Sequence, residues 1–295
     1  MVDYKKNNLK ATSYNRMVVS RKLLERYPIA RMNVGDVQLD DIQRFINQMI
    51  LDGYSRSTIR IECSFLSTFF RFALSRGLVS AAFYLEIRVP KEENVRKPRK
   101  EIAIFSREDQ DALMSVFETM SDRTYAAGIL MLEEGLRVGE VLALEWSDIL
   151  WNRKALRVSK TFIYMGRQPF VQRNPKTKSS IRTVPLSRKS IAALKNLFDS
   201  RDPESDYLFP SDDEPNMPMS YWQLRQCILW IFEQEGIEFH GFHAFRHTFA
   251  SNCYEKGCDI KVLSRLLGHQ NVSVTYDIYI HLFGDELEEM RKIID

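Results

Sequence analysis

Over the first hundred residues, apolar positions recur every three or four residues, as they do in helices that bury one stripe. Residues 14–27 carry Met17, Val18, Leu23 and Leu24 among basic neighbours. Leu39–Leu51 sets Ile42, Phe45, Ile46, Met49 and Ile50 on one face, and 55–76 does the same with Ile59, Phe65, Leu66, Phe69, Phe70 and Ala73. Gly77 follows where a glycine commonly ends a helix. The pattern breaks at 89–101 (VPKEENVRKPRKE), which holds two prolines and a dense charge run and predicts a linker. Beyond it, Ser106 with Asp109 resembles a capping box, opening a helix over 107–120. A helix over 123–134 ends at Gly135, and another starts near Val138. Residues 156–164 and 181–185 are rich in β-branched and aromatic types, which predicts two strands of a small sheet. Helical spacing returns over 187–199, 221–235, 244–256, 259–267, 273–281 and 285–294. The expected fold is mainly α with a small antiparallel β-sheet. A helical domain covers 1–88, a basic linker 89–101, and a mixed α/β domain 102–295 ends in a short helix.

Charge sharpens this division. The chain of 295 residues carries a net +3. Residues 1–100 hold 19 Lys and Arg against 10 Asp and Glu, a net +9, whereas 101–295 hold 23 against 29, a net −6. A basic first half suits a polyanion such as nucleic acid, although a merely solvated basic face has the same composition. Arg56 and Arg60, one turn apart at the start of the longest helix, are candidate phosphate contacts. So are Arg96, Lys97, Arg99 and Lys100 in the linker. No apolar run approaches a membrane span, and the N-terminus lacks a secretory core. Four cysteines in a chain this long make no disulfide framework, so a reduced, cytoplasmic setting is expected.

Four short blocks in the second half carry chemistry: GLRVGE (135–140), NPKTKSSIRTVPL (174–186), HAFRHT (243–248) and LLGHQNVSVTYDIYIHL (266–282). Together they supply arginines, lysines, histidines and tyrosines, with no cluster of carboxylates. Such a set suits phosphoryl transfer without a metal or cofactor. Guanidiniums fork onto phosphate oxygens, a tyrosine hydroxyl attacks phosphorus, and an ammonium protonates the leaving oxygen. Arg137 follows a glycine and has Glu140 one turn on, which reads as a pinned arginine with a structural partner. His243, Arg246 and His247 share one helix face. His243 and His247, with Cys253 and Cys258 beyond, fit a zinc site poorly, because the glutamate of H-E-x-x-H and a C-x2-C pair are both missing. His240 lacks an arginine three residues on. Residue types alone leave Lys176 and Lys178, and Tyr279 and Tyr276, as alternatives.

In that order the blocks resemble the tyrosine recombinase, or phage integrase, family, whose motif runs G-x-R-x-x-E, a hairpin lysine, H-x-x-R-H, L-G-H and T-x-x-x-Y-x-H. The likeness covers about 104–282, with wording most like integrases of conjugative transposons and phages of Gram-positive bacteria. The helical first domain resembles the family's core-binding domain from near Met1, without the additional N-terminal arm-binding domain many such integrases carry. The resemblance implies a site-specific DNA recombinase with Arg137, Lys176, His243, Arg246, His269 and nucleophile Tyr279 as catalytic residues. It further implies double-stranded DNA as partner and a homotetramer on two duplexes. The apolar stripe Leu287, Met290, Ile293 and Ile294 would then dock on a neighbouring protomer or on its own domain. A type IB topoisomerase-like strand transferase and a non-catalytic DNA-binding accessory protein are the alternative functions.

The charge division makes a prediction. DNA affinity should fall steeply with salt, by roughly 0.9 log units per log unit of salt for each phosphate neutralised. Deleting 1–100 should abolish tight binding, as measured by fluorescence anisotropy over a salt series. A catalytic half that binds its site equally well alone would contradict the assignment.

Overall fold

The computed structural model describes residues 1–4, 9, 11–80, 82–95, 102–165, 168–173 and 181–276. It divides into two compact units, Met1–Lys100 and Glu101–Asp295.

The first unit is built on α1 (Ala11–Leu24), α2 (Leu39–Leu51) and α3 (Arg56–Ser75). Helix α1 stops three residues earlier than the pattern predicts. Tyr27 precedes Pro28 and takes the extended conformation that a following proline demands. In α2, the Asp41 side chain accepts from the Gln38 backbone N–H at 2.9 Å, closing the first turn. Ser55 caps α3 by accepting from the Thr58 N–H, and Gly77 leaves it with φ +67°. Ile42, Phe45, Ile46 and Met49 pack against Ile59, Cys63, Leu66, Phe70 and Ala73. Fully burying each large apolar side chain contributes about 1.5–3 kcal/mol. Val95 is buried in this same core, and Val89 packs on it. The charged run is therefore docked on the first unit as far as Val95, an attachment that isolated valines without periodicity do not reveal.

The second unit contains α4 (Arg107–Phe117), α5 (Asp122–Glu133), α6 (Val138–Leu142), β1 (Ile149–Leu150), β2 (Ala155–Val158), β3 (Thr161–Met165), β4 (Gln168–Gln172), β5 (Arg182–Pro185), α7 (Arg188–Asp199), α8 (Tyr221–Gln234), α9 (Phe242–Glu255) and α10 (Ile260–Leu267). Residues 272–276 begin a further helical turn, and the predicted helix 285–294 lies outside the described residues. The Ser106–Asp109 capping box forms as expected. Helix α5 is buried from Thr124 through Leu132 except Tyr125, and it touches α4, α6, α7, α8 and α9. The other helices are laid around it. At its end, buried Glu134 accepts from the Ser187 N–H at 2.8 Å and Ser190 Oγ at 2.7 Å, tying it to the start of α7.

The expected single strand over 156–164 is two strands in two sheets. The chain breaks at Lys160, whose Nζ lies 2.7 Å from both Glu145 Oε2 and Asp148 Oδ2 and is nearly buried. That pull separates β2 from β3. Strands β1, β2 and β5 form one antiparallel sheet in that order, and β3 pairs with β4 as a separate hairpin. Val158 stands opposite Arg182, which shares its face of β5 with buried Val184.

Gly135 ends the α5 segment with φ +64°, and a Cβ there would run into the Phe249 ring. Gly135→Ala should therefore cost at least about 2 kcal/mol, from left-handed strain plus overpacking. Urea unfolding should show a lower midpoint at unchanged slope. An unchanged midpoint would mean the turn does not need its left-handed residue.

Candidate active site

The site begins where α5 turns into α6. Gly135 reverses the chain, and Arg137 precedes the first residue of α6 with an extended backbone. Glu140, one turn on, folds back onto it. Its Oε2 accepts from the Arg137 backbone N–H at 2.9 Å, and its Oε1 from Arg137 Nη1 at 2.8 Å. Gly139 fits because a Cβ would stand 2.7 Å from the Phe162 carbonyl oxygen, which keeps β3 close against α6.

Strand β5 delivers a second guanidinium from the other side. Arg182 Nη1 and Nη2 donate to Glu140 Oε1 and Oε2, each at 2.9 Å, and its Nε donates to the Leu266 carbonyl at 2.5 Å. The α10 terminus supplies fixed acceptors. Gly268 closes the helix with φ +67°, leaving its last carbonyls exposed to donors. The Leu267 carbonyl accepts from Arg246 Nη2 and, at 3.4 Å, from Arg137 Nη1. Arg246, buried on α9, also donates Nη1 to the Gly135 carbonyl at 2.9 Å. His269 follows the cap, and its Nδ1 lies 2.8 Å from Thr275 Oγ1.

Electrostatics follow from this crowding. Burial alone would raise the Glu140 carboxyl, but the Arg182 hydrogen bonds and the charges of Arg182 and Arg137 override it and hold it at about 2. It is ionised across the physiological range. The imidazole pKa values also fall, which for a base favours the neutral form. Desolvation and then the arginine charges push His269 down to about 3. His247 falls to about 4 through desolvation, His243 and Arg246. His243 is lowered by desolvation, Arg246 and Arg137. The three are therefore neutral near pH 7, able to donate from one nitrogen and accept at the other.

Of the six catalytic positions expected from sequence, the fold brings Arg137, His243, Arg246 and His269 together. Lys176 and Tyr279 lie outside the described residues, as do Lys178, Arg96, Lys97, Arg99 and Lys100. Arg56 is half-buried and donates Nε to the Pro90 carbonyl at 2.9 Å, whereas Arg60 is exposed. Exposed Tyr276 lies just beyond Thr275. His240 sits outside this cluster, 3.4 Å from Glu238. Sequence reasoning missed Arg182. Its signal was period two: Arg182 is in phase with Val184, so any strand that buries Val184 also buries a guanidinium that needs a partner. His247, set aside from the sequence, adjoins His243 with ring centroids 6.3 Å apart, and its Nδ1 is buried without a hydrogen-bond partner among the described residues.

Residues 104–286 match the family model described as the phage integrase family. The chain belongs to that family. It is a site-specific recombinase of the tyrosine type. A tyrosine recombinase XerC-like protein of Caldanaerobacter subterraneus subsp. tengcongensis is 30% identical over 290 residues, covering 89% of this chain and 72% of that protein. The ICEBs1 integrase of Bacillus subtilis is 30% identical over 171 residues, 55% of this chain and 45% of that one. Among solved structures, the Tn1549 transposon integrase in complex with transposon right end DNA has a TM-score of 0.83 at 19% identity, covering 99% of this chain and 96% of that one. A lambda integrase tetramer bound to a Holliday junction has a TM-score of 0.65 at 19% identity, covering 89% and 73%. At such identities the two structures speak for the fold, that of the phage integrase family.

The histidine shifts can be read directly. In the folded recombinase the His269 ring should still be neutral at pH 5, when an ordinary histidine is protonated. Nitrogen-detected NMR of the imidazole checks this, and a midpoint near 6.5 would mean the ring is not desolvated. The unfolded chain binds protons near pH 6.5 that folded His269 and His247 refuse, so stability should fall as pH drops from about 6.5 toward 4.

Proposed function

We propose that this recombinase integrates and excises a mobile DNA element by cutting and rejoining duplex DNA through a covalent tyrosine ester. The Tyr279 oxygen attacks a backbone phosphorus in line. The bond from phosphorus to the 5′-oxygen breaks, leaving a 3′-phosphotyrosyl ester and a 5′-hydroxyl. Lys176 gives the departing oxygen its proton. Arg137 and Arg246 bind the non-bridging oxygens as their charge builds. His243 and His269, both neutral, hydrogen-bond the same phosphate or relay the tyrosine proton. A 5′-hydroxyl from the partner duplex then attacks the ester and releases the tyrosine. The ester conserves the energy of the broken bond, so the cycle needs no nucleotide cofactor.

The observation that carries this reading is the state of Arg137. Only one side-chain nitrogen, Nη1, is bonded among the described residues, and 34% of the side chain is exposed beside buried Arg246. A guanidinium held in this way, with Nε and Nη2 unbonded among the described residues, is shaped to fork onto a phosphate. The basic first unit would grip the duplex, with exposed Arg60 as a candidate contact and Arg56, Arg96, Lys97, Arg99 and Lys100 as further ones. Four protomers on two duplexes would complete the exchange, with the terminal stripe from Leu287 to Ile294 docking on a neighbour. Support for an assembly of this kind comes from lambda integrase, solved as a tetramer bound to a Holliday junction.

Tyr279→Phe keeps the ring and removes the attacking oxygen. It should bind DNA within about threefold of wild type yet form no covalent adduct on a nicked suicide substrate, read as a shifted band on denaturing gels. Adduct formation by Tyr279→Phe together with its loss in Tyr276→Phe would transfer the role to Tyr276.

A further inference from the structure

We propose that Arg182 is a positioning residue for strand cleavage: it takes up the Glu140 carboxylate so that the charge of Arg137 stays available to the phosphate. The inference rests on the reading of Arg137 as a phosphate-binding group.

An ionised carboxylate offers about four lone-pair sites. In Glu140 two are filled by Nη1 and Nη2 of Arg182, one by the Arg137 backbone N–H, and one by Arg137 Nη1. Arg137 thus gives Glu140 a single side-chain hydrogen bond, where a buried carboxylate beside a lone arginine would take the two-pronged fork. Arg182 is placed to serve Glu140 rather than the phosphate. Its side chain is 6% exposed, the same as Glu140, so it cannot reach a DNA backbone as Arg137 can. Three arginines around one carboxylate leave a formal +2. Without Arg182 the cluster would carry +1, and the desolvated anion would draw on Arg137.

A second contact extends the role. Arg182 Nε holds the Leu266 carbonyl, the neighbour of the Leu267 carbonyl that receives Arg246 and Arg137. A Cβ on Gly268 would stand 3.0 Å from Arg182 Nη1, so the cap of α10 is fitted against this guanidinium. One buried side chain therefore sets the partner of the first candidate phosphate arginine and anchors the helix end that orients the second.

The test uses the full chain and a nicked suicide substrate at saturating protein in single turnover, with DNA affinity and thermal melting measured in parallel. Arg182→Gln should slow cleavage roughly 10²-fold, the scale of losing one transition-state donor, while affinity stays within about threefold. Adding Glu140→Gln should recover at least about tenfold, because a neutral amide no longer competes for Arg137. A methylphosphonate at the scissile position lacks the non-bridging charge, so on that substrate the Arg182→Gln defect should shrink to about tenfold or less. If Arg182→Gln melts too low to assay, Arg182→Lys replaces it. Lysine keeps the charge but not the fork, and its defect should be smaller and again relieved by the methylphosphonate. Undiminished cleavage, no recovery in the double variant, or equal defects on both substrates would overturn the proposal. The Arg137 Nε resonance gives a readout without DNA chemistry: it should shift in Arg182→Gln and return in the double variant, and an unmoved resonance would also overturn it. A wild-type chain that forms no ester, with that resonance behaving as expected, would instead refute the assigned reaction.

Discussion

The second unit depends on one buried carboxylate being saturated with donors. Removing a charge from water costs several kcal/mol, and only close, well-aligned counter-charges offset it. Glu140 receives hydrogen bonds from Arg137 on its own turn and Arg182 on β5, and Arg182 in turn reaches the end of α10. Segments more than a hundred residues apart in sequence are thereby drawn to one point. The same saturation keeps Glu140 ionised at about 2, which makes it a reliable counter-charge at any physiological pH.

The rest of the unit works to hold those segments still. Helix α5 is buried nearly all round, so α4, α7, α8 and α9 are referenced to a common axis. Gly135 ends that segment in a left-handed turn against Phe249 of α9, so the helix bearing Arg246 touches the turn that starts Arg137. The first unit follows a different logic. Its three helices close a modest core and leave a surface rich in arginine and lysine. It contributes charge and shape, whereas the second unit contributes exact placement of a few polar atoms.

What the sequence revealed depended on whether the signal was local. Helix α2 was legible to the residue, because the period of its apolar positions lies within its own thirteen residues. Arg137, His243, Arg246 and His269 were legible because short blocks spell them in a fixed order. The pairing of Glu140 with Arg137 followed from one helical turn. The split of β2 from β3 was not legible, since it depends on Lys160 meeting Glu145 and Asp148 from a separate turn. Arg182 was hidden for the same reason. Its partners lie 42 and 84 residues away, and nothing on β5 names them. Val95 was read as part of a linker because a single apolar residue in a charged run has no period to betray its burial.

The choice of acceptors also explains how an arginine can be held without being neutralised. A carboxylate orients a guanidinium strongly but cancels its charge. A peptide carbonyl orients it through a dipole and leaves the charge intact. Among the described residues, Arg246 is held by the carbonyls of Gly135 and Leu267. Arg137 is shared between Leu267 and one oxygen of a carboxylate that Arg182 has already matched. The C-terminus of α10, closed by Gly268, is suited to this task because its last carbonyls lack helical partners and carry the negative end of the helix dipole. The L-G-H block thus has a physical reading apart from the histidine. Leu267, with Leu263 one turn earlier, seats the helix in a small core with Phe249, glycine turns the chain at positive φ, and the carbonyl thereby presented holds two guanidiniums in place. The proposed reaction would require that arrangement, because any carboxylate left unmatched would compete with the phosphate for the arginines.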